Sequence, residues 1–323
     1  MTISTKKILS IIVSILILCV IYYSIDLSDL LSIFKSSKPQ WLAAAMFMFV
    51  PTTILAALRL ELLSPDKAQV DTKEALRLVL AGSSLNIILP SKMGDIAKGY
   101  FITERSGIPL SSSLSIVIYE KTCDIIGLLL WCVFGLFFIG FNNPLFISLT
   151  ILTISILLVG ILMIGSEAFA RLMFMSLIRI SPGLISTKIE KLKNSWMEMC
   201  HYLKYRKSLM LKVAAMSIAI MFMQLLQIWF FIRMLGGFIP LEAHLGLAPL
   251  ALFAGLVPLT FAGVGTRDAA LIFFMKNYLT ASVAAALGIL CTFRYFVPAV
   301  IGLPFLKNYN IGLQKVTIKE NIS

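Results

Sequence analysis

Long apolar stretches separated by short polar ones make up most of the chain. A helix needs about 20 predominantly apolar residues to cross a bilayer. The pattern predicts full spans at 8–25, 40–62, 112–138, 145–164, 209–235 and 281–306. We therefore expect an all-α fold, a polytopic bundle of transmembrane helices.

A polar stretch at 86–100 interrupts this pattern where apolar residues should continue. The helix leading into it, 74–88, is too short to span and ends beside Pro90, and 95–104 is predicted to return to the same side. A bilayer leaves open backbone and charge unsatisfied, so such a stretch must line a cavity walled by protein. The pattern predicts a re-entrant helical hairpin.

A second broken hairpin is predicted at 245–261 and 266–278. Both termini and the connections at 59–77 and 166–208 are rich in cations, and an excess of Lys and Arg marks cytoplasmic loops. We therefore expect a multi-pass protein of the cell inner membrane with cytoplasmic termini. The two hairpins then enter from opposite sides, which is the arrangement of an inverted-topology repeat.

The composition leaves no room for a large soluble domain. The chain has 323 residues, of which 59% are hydrophobic, and a mean hydropathy of +0.93. We treat 1–323 as a single integral membrane domain, in which 166–208 forms a cytoplasmic connection of amphipathic helices. The net charge of +12 fits cationic loops, and without a soluble basic module we expect no nucleic-acid partner. The five cysteines lack CxxC spacing and are expected to be buried apolar residues.

The first interruption carries the first group of candidate binding residues. Asp95 is expected in the first turn of a helix, and Lys92 and Lys98 flank it. Exposed helix amides together with two lysines would form a phosphate cradle. The alternative is a solvated loop with ordinary charges. Asn86 is a candidate for satisfying open backbone at the hairpin tip.

Charged residues inside the predicted spans form the second group. Glu120 and Asp124 share a helix face, and Lys121 can reach Asp124 three residues on. Charges at this depth should face the bundle interior, either as an internal salt bridge or as part of a substrate site. Arg294 lies in the middle of the last span and needs a partner there.

The second interruption combines glycines with an adjacent cation and carboxylate. Gly263 and Gly265 let the backbone turn, and the Arg267 fork suits phosphate or carboxylate. The alternative is that Arg267 and Asp268 form a structural network with charges of the first half, for example Glu120.

These motifs resemble the flippase-like membrane domain of the lysylphosphatidylglycerol synthase family, over nearly the whole chain. Arg59 also fits that pattern, which often has Glu at positions 95 and 268 and Arg at 92 and 98. The resemblance implies a stand-alone member without the soluble aminoacyl-transfer domain, and lipid handling rather than lysyl transfer. The residues that carry it are Asn86, Leu89, Pro90, Ser91, Lys92, Gly94, Asp95, Lys98, Tyr100, Ser113, Glu120, Lys121, Asp124, Gly263, Gly265, Arg267, Asp268, Ala269 and Ala270.

The leading hypothesis is a lipid flippase that moves an anionic phospholipid or a polyprenyl-linked glycolipid. The alternative is a non-transporting membrane partner of a glycosyltransferase or other lipid-modifying enzyme. An intramembrane enzyme is disfavoured because no nucleophile–base pair is recognisable. We expect no catalytic residues, no metal and no cofactor. The substrate-binding residues are predicted to be Asn86, Lys92, Gly94, Asp95, Lys98, Tyr100, Glu120, Lys121, Asp124, Gly263, Gly265, Arg267, Asp268 and Arg294.

Overall fold

A computed structural model describes residues 3–23, 27–88, 94–139, 144–204, 206–257, 260 and 263–309. The structure is 87% helical, with no strand among those residues, so the predicted all-α class is confirmed. Short 3-10 helices lie at Asp66–Ala68 and Leu303–Tyr309. The α-helices are α1 Ile3–Tyr23, α2 Leu27–Lys35, α3 Pro39–Phe47, α4 Phe49–Leu63, α5 Thr72–Ile88, α6 Gly94–Ser106, α7 Leu110–Ile139, α8 Pro144–Gly165, α9 Glu167–Ile180, α10 Gly183–Lys204, α11 Lys207–Met234, α12 Leu241–Ala254, α13 Thr266–Met275, α14 Ala281–Phe293 and α15 Phe296–Gly302.

Four stretches of the described chain are long and apolar enough to cross a membrane, and each coincides with a predicted span. They are Pro39–Leu63, Phe146–Gly165, Lys207–Met234 and Ala281–Tyr309. Helix α7 has 30 residues, about 45 Å at 1.5 Å per residue, so it also has the length to span.

Two of the predicted spans are not continuous helices. The span predicted at 40–62 divides into α3 and α4 at Met48, and the one predicted at 281–306 divides into α14 and α15 at Arg294–Tyr295. Pro51 and Pro298 stand three residues beyond each break. Proline has no backbone N–H and clashes with the carbonyl four residues earlier, so each proline interrupts the helix that precedes it.

The first predicted hairpin is formed by α5 and α6, which pack against each other. At 17 and 13 residues they measure about 26 and 20 Å, less than a hydrocarbon core of about 30 Å. Gly94 lies so close to α5 that a Cβ there would overlap Gly82 O and the Asn86 amide. The hairpin tip, including Lys92, lies outside the described residues.

The second predicted hairpin is formed by α12 and α13, which also pack together and have 14 and 10 residues. Helix α12 begins and ends earlier than the predicted 245–261, because Pro240 precedes its first turn and the chain turns at Gly255. Re-entry of either hairpin into a membrane, and the inverted repeat, stay predictions.

Helices α7 and α11 connect two separate apolar cores. One core surrounds α5, α6 and the beginning of α7, where Ile116 is buried; the other surrounds α12–α14 and the end of α7, where Leu136 is buried. Along α11, Val213 belongs to the first core and Leu225 to the second. Each hairpin is therefore fixed in its own core, and the two shared helices set the distance between them.

Candidate functional site

Arg59 lies at the centre of a buried charge network and is 1% exposed. Its Nη1 donates to Asp124 Oδ1 at 2.6 Å and to Ser217 Oγ at 2.9 Å, and its Nη2 donates to Glu120 Oε1 at 3.2 Å. One guanidinium thereby joins α4, α7 and α11. A planar fork with several donors is suited to holding two carboxylates at once.

Two lysines complete this network, which we call the first-hairpin network (Arg59, Asp95, Lys98, Glu120, Lys121 and Asp124). Lys98 Nζ donates to Glu120 Oε2 at 2.7 Å and lies 3.6 Å from Asp95 Oδ1. Lys121 Nζ lies 3.2 Å from Asp95 Oδ2 and 2.9 Å from Asp124 Oδ2. Three cations against three carboxylates give a net formal charge of zero.

Local geometry accounts for several of these contacts. Glu120 and Asp124 lie one turn apart on α7, so both reach the same neighbours, and Lys121 meets Asp124 as the spacing predicts. Asp95 lies in the first turn of α6. Its amide donates to Asn86 Oδ1 at 3.2 Å, so Asn86 satisfies backbone where the hairpin folds back, as the sequence suggests.

The second-hairpin cluster consists of Arg267, Asp268 and Arg294. Gly263 and Gly265 have φ values of 77° and 100°, in the region that favours glycine, and they turn the chain into α13. Asp268 Oδ2 accepts the Gly265 amide at 3.0 Å, and Asp268 Oδ1 accepts from Arg267 Nη2 at 2.6 Å and Nε at 2.9 Å. The Asp268 carboxylate therefore binds both the backbone at the start of α13 and the Arg267 side chain.

Arg267 also joins α13 to α14. Its Nη2 donates to Gly288 O at 3.0 Å and to Thr292 Oγ1 at 2.8 Å. The arginine and its carboxylate are both buried, at 5% and 4% exposure. Arg267 therefore pairs with its neighbour Asp268, while Glu120, the partner considered in the alternative, is held by Arg59 and Lys98.

Arg294 lies at the break between α14 and α15 and is 5% exposed. Its Nη1 reaches Gln224 O only at 3.5 Å, its Nη2 donates to Tyr295 Oη at 3.0 Å, and its Nε has no hydrogen-bond partner. No carboxylate of the described chain pairs with it. Arg267 and Arg294 against Asp268 leave this cluster one positive charge in excess.

Helix α11 shows how the two groups are placed relative to each other. Arg59 binds Ser217, and Arg294 approaches the carbonyl of Gln224. Seven residues separate these contacts, about 10 Å along the axis, and they lie about 15 and 26 Å from the beginning of a helix about 42 Å long. Both groups therefore lie near the middle of a helix long enough to span.

The structure thus brings most predicted residues into two clusters. Tyr100 lies half-buried on α6 and Gly94 begins that helix. Arg59, noted in the sequence only for its fit to a family pattern, proves to be central. Ser217 and Thr292 were not anticipated, because a hydroxyl in an apolar helix commonly bonds its own backbone and carries no distinguishing signal. Substrate binding by any of these residues stays a prediction.

Both clusters contain buried ion pairs. Within the residues that the structure describes, no group of three or more His, Cys, Asp or Glu side chains is placed to hold a metal ion. Each cation of the first-hairpin network has a carboxylate partner, so an incoming anion would have to displace a carboxylate. Arg59 Nε and Arg294 Nε are alike in having no hydrogen-bond partner among the described residues. What distinguishes Arg294 is that no carboxylate of the described chain pairs with it.

Comparison with known proteins identifies one family. A family model described as the lysylphosphatidylglycerol synthase TM region matches residues 7–302. The match includes both hairpins, both charged clusters and the connection between α8 and α11. No curated protein matches the chain.

Proposed function

We propose that this chain, which belongs to the lysylphosphatidylglycerol synthase transmembrane-region family, is a lipid flippase for an anionic phospholipid or a polyprenyl-linked glycolipid. The observation that carries the proposal is the pair of buried charged clusters near mid-helix, one of which contains an arginine that no carboxylate of the described chain neutralises. Charged side chains at membrane depth are costly, and they mark substrate and ion pathways.

Arg294 is the group best suited to receive the lipid phosphate. Its Nε lacks a partner and its Nη1 contact is long, so an anion would gain hydrogen bonds without breaking existing ones. Charge-assisted bonds from arginine to phosphate are among the strong ones. Arg267 lies on α13, which packs against α14, and it is held by Asp268 and Thr292. It would supply a second donor to the phosphate once Asp268 moves away.

The carboxylates of the first-hairpin network would serve as counter-ions for its cations when no substrate is bound. Asp95 and Glu120 hold Lys98 in the absence of substrate, so the buried lysine is never left unpaired. A headgroup phosphate that reached Lys98 would replace one of these carboxylates, which would then be free to carry a proton. The acyl or prenyl tails would remain in lipid, and rocking of one half against the other would expose the site to the second leaflet.

The test is headgroup translocation by the purified protein in liposomes across a panel of labelled anionic phospholipids and polyprenyl-phosphate sugars. We would compare wild type with Arg294→Gln and with a Lys92→Ala/Arg267→Ala double variant. Arg105→Ala, which removes an exposed arginine at the end of α6, is the matched control. We expect one lipid class to move, and both site variants to lose that movement while the control keeps it.

Two results would overturn the proposal. If the folded protein moves no lipid of the panel, the proposed flippase function is wrong. If correctly inserted site variants still move lipid at the wild-type rate, the proposed substrate-binding residues are wrong.

The second candidate, a non-transporting partner of a glycosyltransferase or other lipid-modifying enzyme, is favoured by the polar face of α10. Lys188, Lys191 and Glu190 are exposed there, in a helix that otherwise packs against the bundle. Co-purification of an enzyme in stoichiometric amount, with no translocation by the pure protein, would support this function instead.

A further inference from the structure

Helix α9 exposes apolar side chains on its outward side. Leu172, Met175 and Ile180 are 61%, 52% and 79% exposed, whereas Ala170 and Phe174 point inward and are buried. An outward face of this kind is unfavourable in water, because each exposed apolar side chain forfeits burial free energy. Something apolar is therefore expected to cover α9.

Helix α10, its partner in the same connection, has the opposite surface. Its inward side is apolar: the Trp196 ring is tilted against that of Tyr119, with 5.5 Å between ring centroids, and the indole N–H donates to Met163 O at 3.3 Å. Its outward side presents Lys188, Lys191 and Glu190. The two helices of one connection therefore present different outward surfaces: charged side chains on α10 and large apolar side chains on α9.

The chain path places α9 at a membrane surface. Helix α8, one of the stretches able to span, ends at Gly165, and α9 begins at Glu167. Ser166 alone separates them and caps α9 by accepting the Phe169 amide at 3.3 Å. A helix that starts one residue after a span must begin where that span leaves the bilayer.

Cations lie among the exposed apolar residues of α9. Arg171, Met175 and Arg179 recur at four-residue spacing and so share a face. The segment 166–208 as a whole carries eight Lys or Arg residues against three Glu residues. Helices that lie in the headgroup layer combine such an apolar face with cations, and they bind anionic lipid most strongly.

A cavity of about 670 Å³ opens at the corner between α8 and α9, beside this face. Arg171 and Lys204 contribute cations to its lining, and Leu172 and Met175 contribute apolar surface. Glu167 lies 3.5 Å from Lys204 and neutralises it in part. The cavity combines the two surfaces that a lipid headgroup and the upper part of its chains require.

We propose that α9 lies in the headgroup layer of the bilayer and docks on anionic lipid. Leu172, Met175 and Ile180 would insert at the boundary with the acyl chains, and Arg171 and Arg179 would bind lipid phosphates. Helix α10 would cover α9 from the water side. This interface is separate from the charged clusters at mid-helix and does not depend on flipping.

The test is a depth measurement on the full-length protein in vesicles. An environment-sensitive fluorophore is attached to Leu172→Cys on α9 and, as the matched control, to Lys191→Cys on α10, both in a Cys19→Ser background because Cys19 is exposed. Cys123, Cys132 and Cys291 are buried, and burial raises the pKa of the Cys200 thiol to about 11, so these four resist labelling at neutral pH. Quenching by iodide in water is compared with quenching by a nitroxide on the upper acyl chain.

We expect the α9 probe to be quenched by the lipid nitroxide and shielded from iodide, and the α10 probe to show the reverse. Each cation near an anionic surface strengthens association roughly fivefold. Vesicles without anionic lipid, and an Arg171→Gln/Arg179→Gln variant in anionic vesicles, should therefore both weaken quenching of the position-172 probe by the lipid nitroxide, a readout that does not depend on attraction or repulsion of iodide by surface charge.

Equal iodide quenching of both probes in anionic vesicles would overturn the proposal, whether or not the protein moves lipid. Shielding at position 172 that appears only when a second protein is added would assign this face to a protein partner instead. Shielding that is independent of lipid charge would overturn the anionic-lipid part of the proposal.

Discussion

Buried charge accompanies both hairpins, but it is compensated differently in the two places. The first-hairpin network balances three cations with three carboxylates drawn from α4, α6 and α7. The second-hairpin cluster balances Arg267 with Asp268 and leaves Arg294 without a carboxylate in the described chain. Charges that balance one another within the protein are typical of a structural network, whereas a cation without a carboxylate partner is typical of an anion-binding site.

The difference follows from how many elements each charge connects. Arg59 has two carboxylates and a hydroxyl as partners, from α7 and α11. Arg294 has one side-chain bond, to the next residue in the chain. Removing one partner of a buried pair leaves an uncompensated charge, so damage should increase with the number of partners. The free energy of unfolding of matched variants can test this ranking.

Arg59→Ala should have the largest effect, because it leaves Glu120 and Asp124 short of a cation in a buried site. We expect a loss of roughly 3–5 kcal/mol in the free energy of unfolding, measured by denaturant titration in mixed micelles. Arg105→Ala, which removes an exposed arginine at the end of α6, should change the free energy of unfolding by no more than about 0.5 kcal/mol.

A double variant sharpens this first test. Arg59→Ala/Asp124→Asn removes one charge of each sign and should recover part of the lost stability, with a coupling of roughly 1–3 kcal/mol. Equal losses from Arg59→Ala and the exposed control would show that the first-hairpin network does not hold the bundle together.

The two lysines of the same network provide an internal comparison, because both contact two carboxylates but differ in burial. The Lys98 side chain is 3% exposed and that of Lys121 is 40% exposed. Lys98→Met should cost roughly 3 kcal/mol, and Lys121→Met about 1 kcal/mol or less. Equal costs in the same titration would show that burial does not set the strength of these pairs.

Asp268→Asn tests the second-hairpin cluster. The carboxylate accepts from Arg267 on one oxygen and from the Gly265 amide on the other, and an amide side chain has only one acceptor oxygen. We expect a loss of roughly 2–3 kcal/mol, smaller than that of Arg59→Ala because a single cation is affected. Glu190→Gln on the exposed side of α10 is the control and should change little; an Asp268→Asn protein as stable as this control would disprove the structural role of the pair.

Local features of both clusters could be predicted from the sequence, and contacts between distant segments could not. The Lys121–Asp124 pair and the Asn86 bond to the start of α6 follow from helix spacing and from the proximity of a hairpin's two arms. The Arg59–Asp124 pair joins residues 65 positions apart. Which helices meet depends on packing over the whole bundle, so periodicity does not specify such partners.

Four of the six spans predicted from the hydrophobic pattern coincide with stretches able to cross a membrane, but the pattern did not predict the interruptions within them. Apolar residues continue through 281–306, so the pattern gives one helix, whereas the structure divides it at Arg294–Tyr295. Pro298 was the available signal, since a proline removes the hydrogen bond to the residue four positions earlier. That residue is Arg294, so the helix break associated with Pro298 lies at the arginine that has no carboxylate partner in the described chain.

Arg294→Gln should have the smallest effect on stability and a large one on function. Because no carboxylate of the described chain depends on Arg294, its neutralisation orphans no buried charge, and we expect a change of less than about 1 kcal/mol in the free energy of unfolding. Lipid translocation in liposomes should fall roughly tenfold to a hundredfold, the value of one charge-assisted hydrogen bond. If the variant is instead as unstable as Asp268→Asn, Arg294 has a structural partner, and the contrast between the two clusters disappears. If it is stable and moves lipid at the wild-type rate, the excess charge is real but does not bind the substrate.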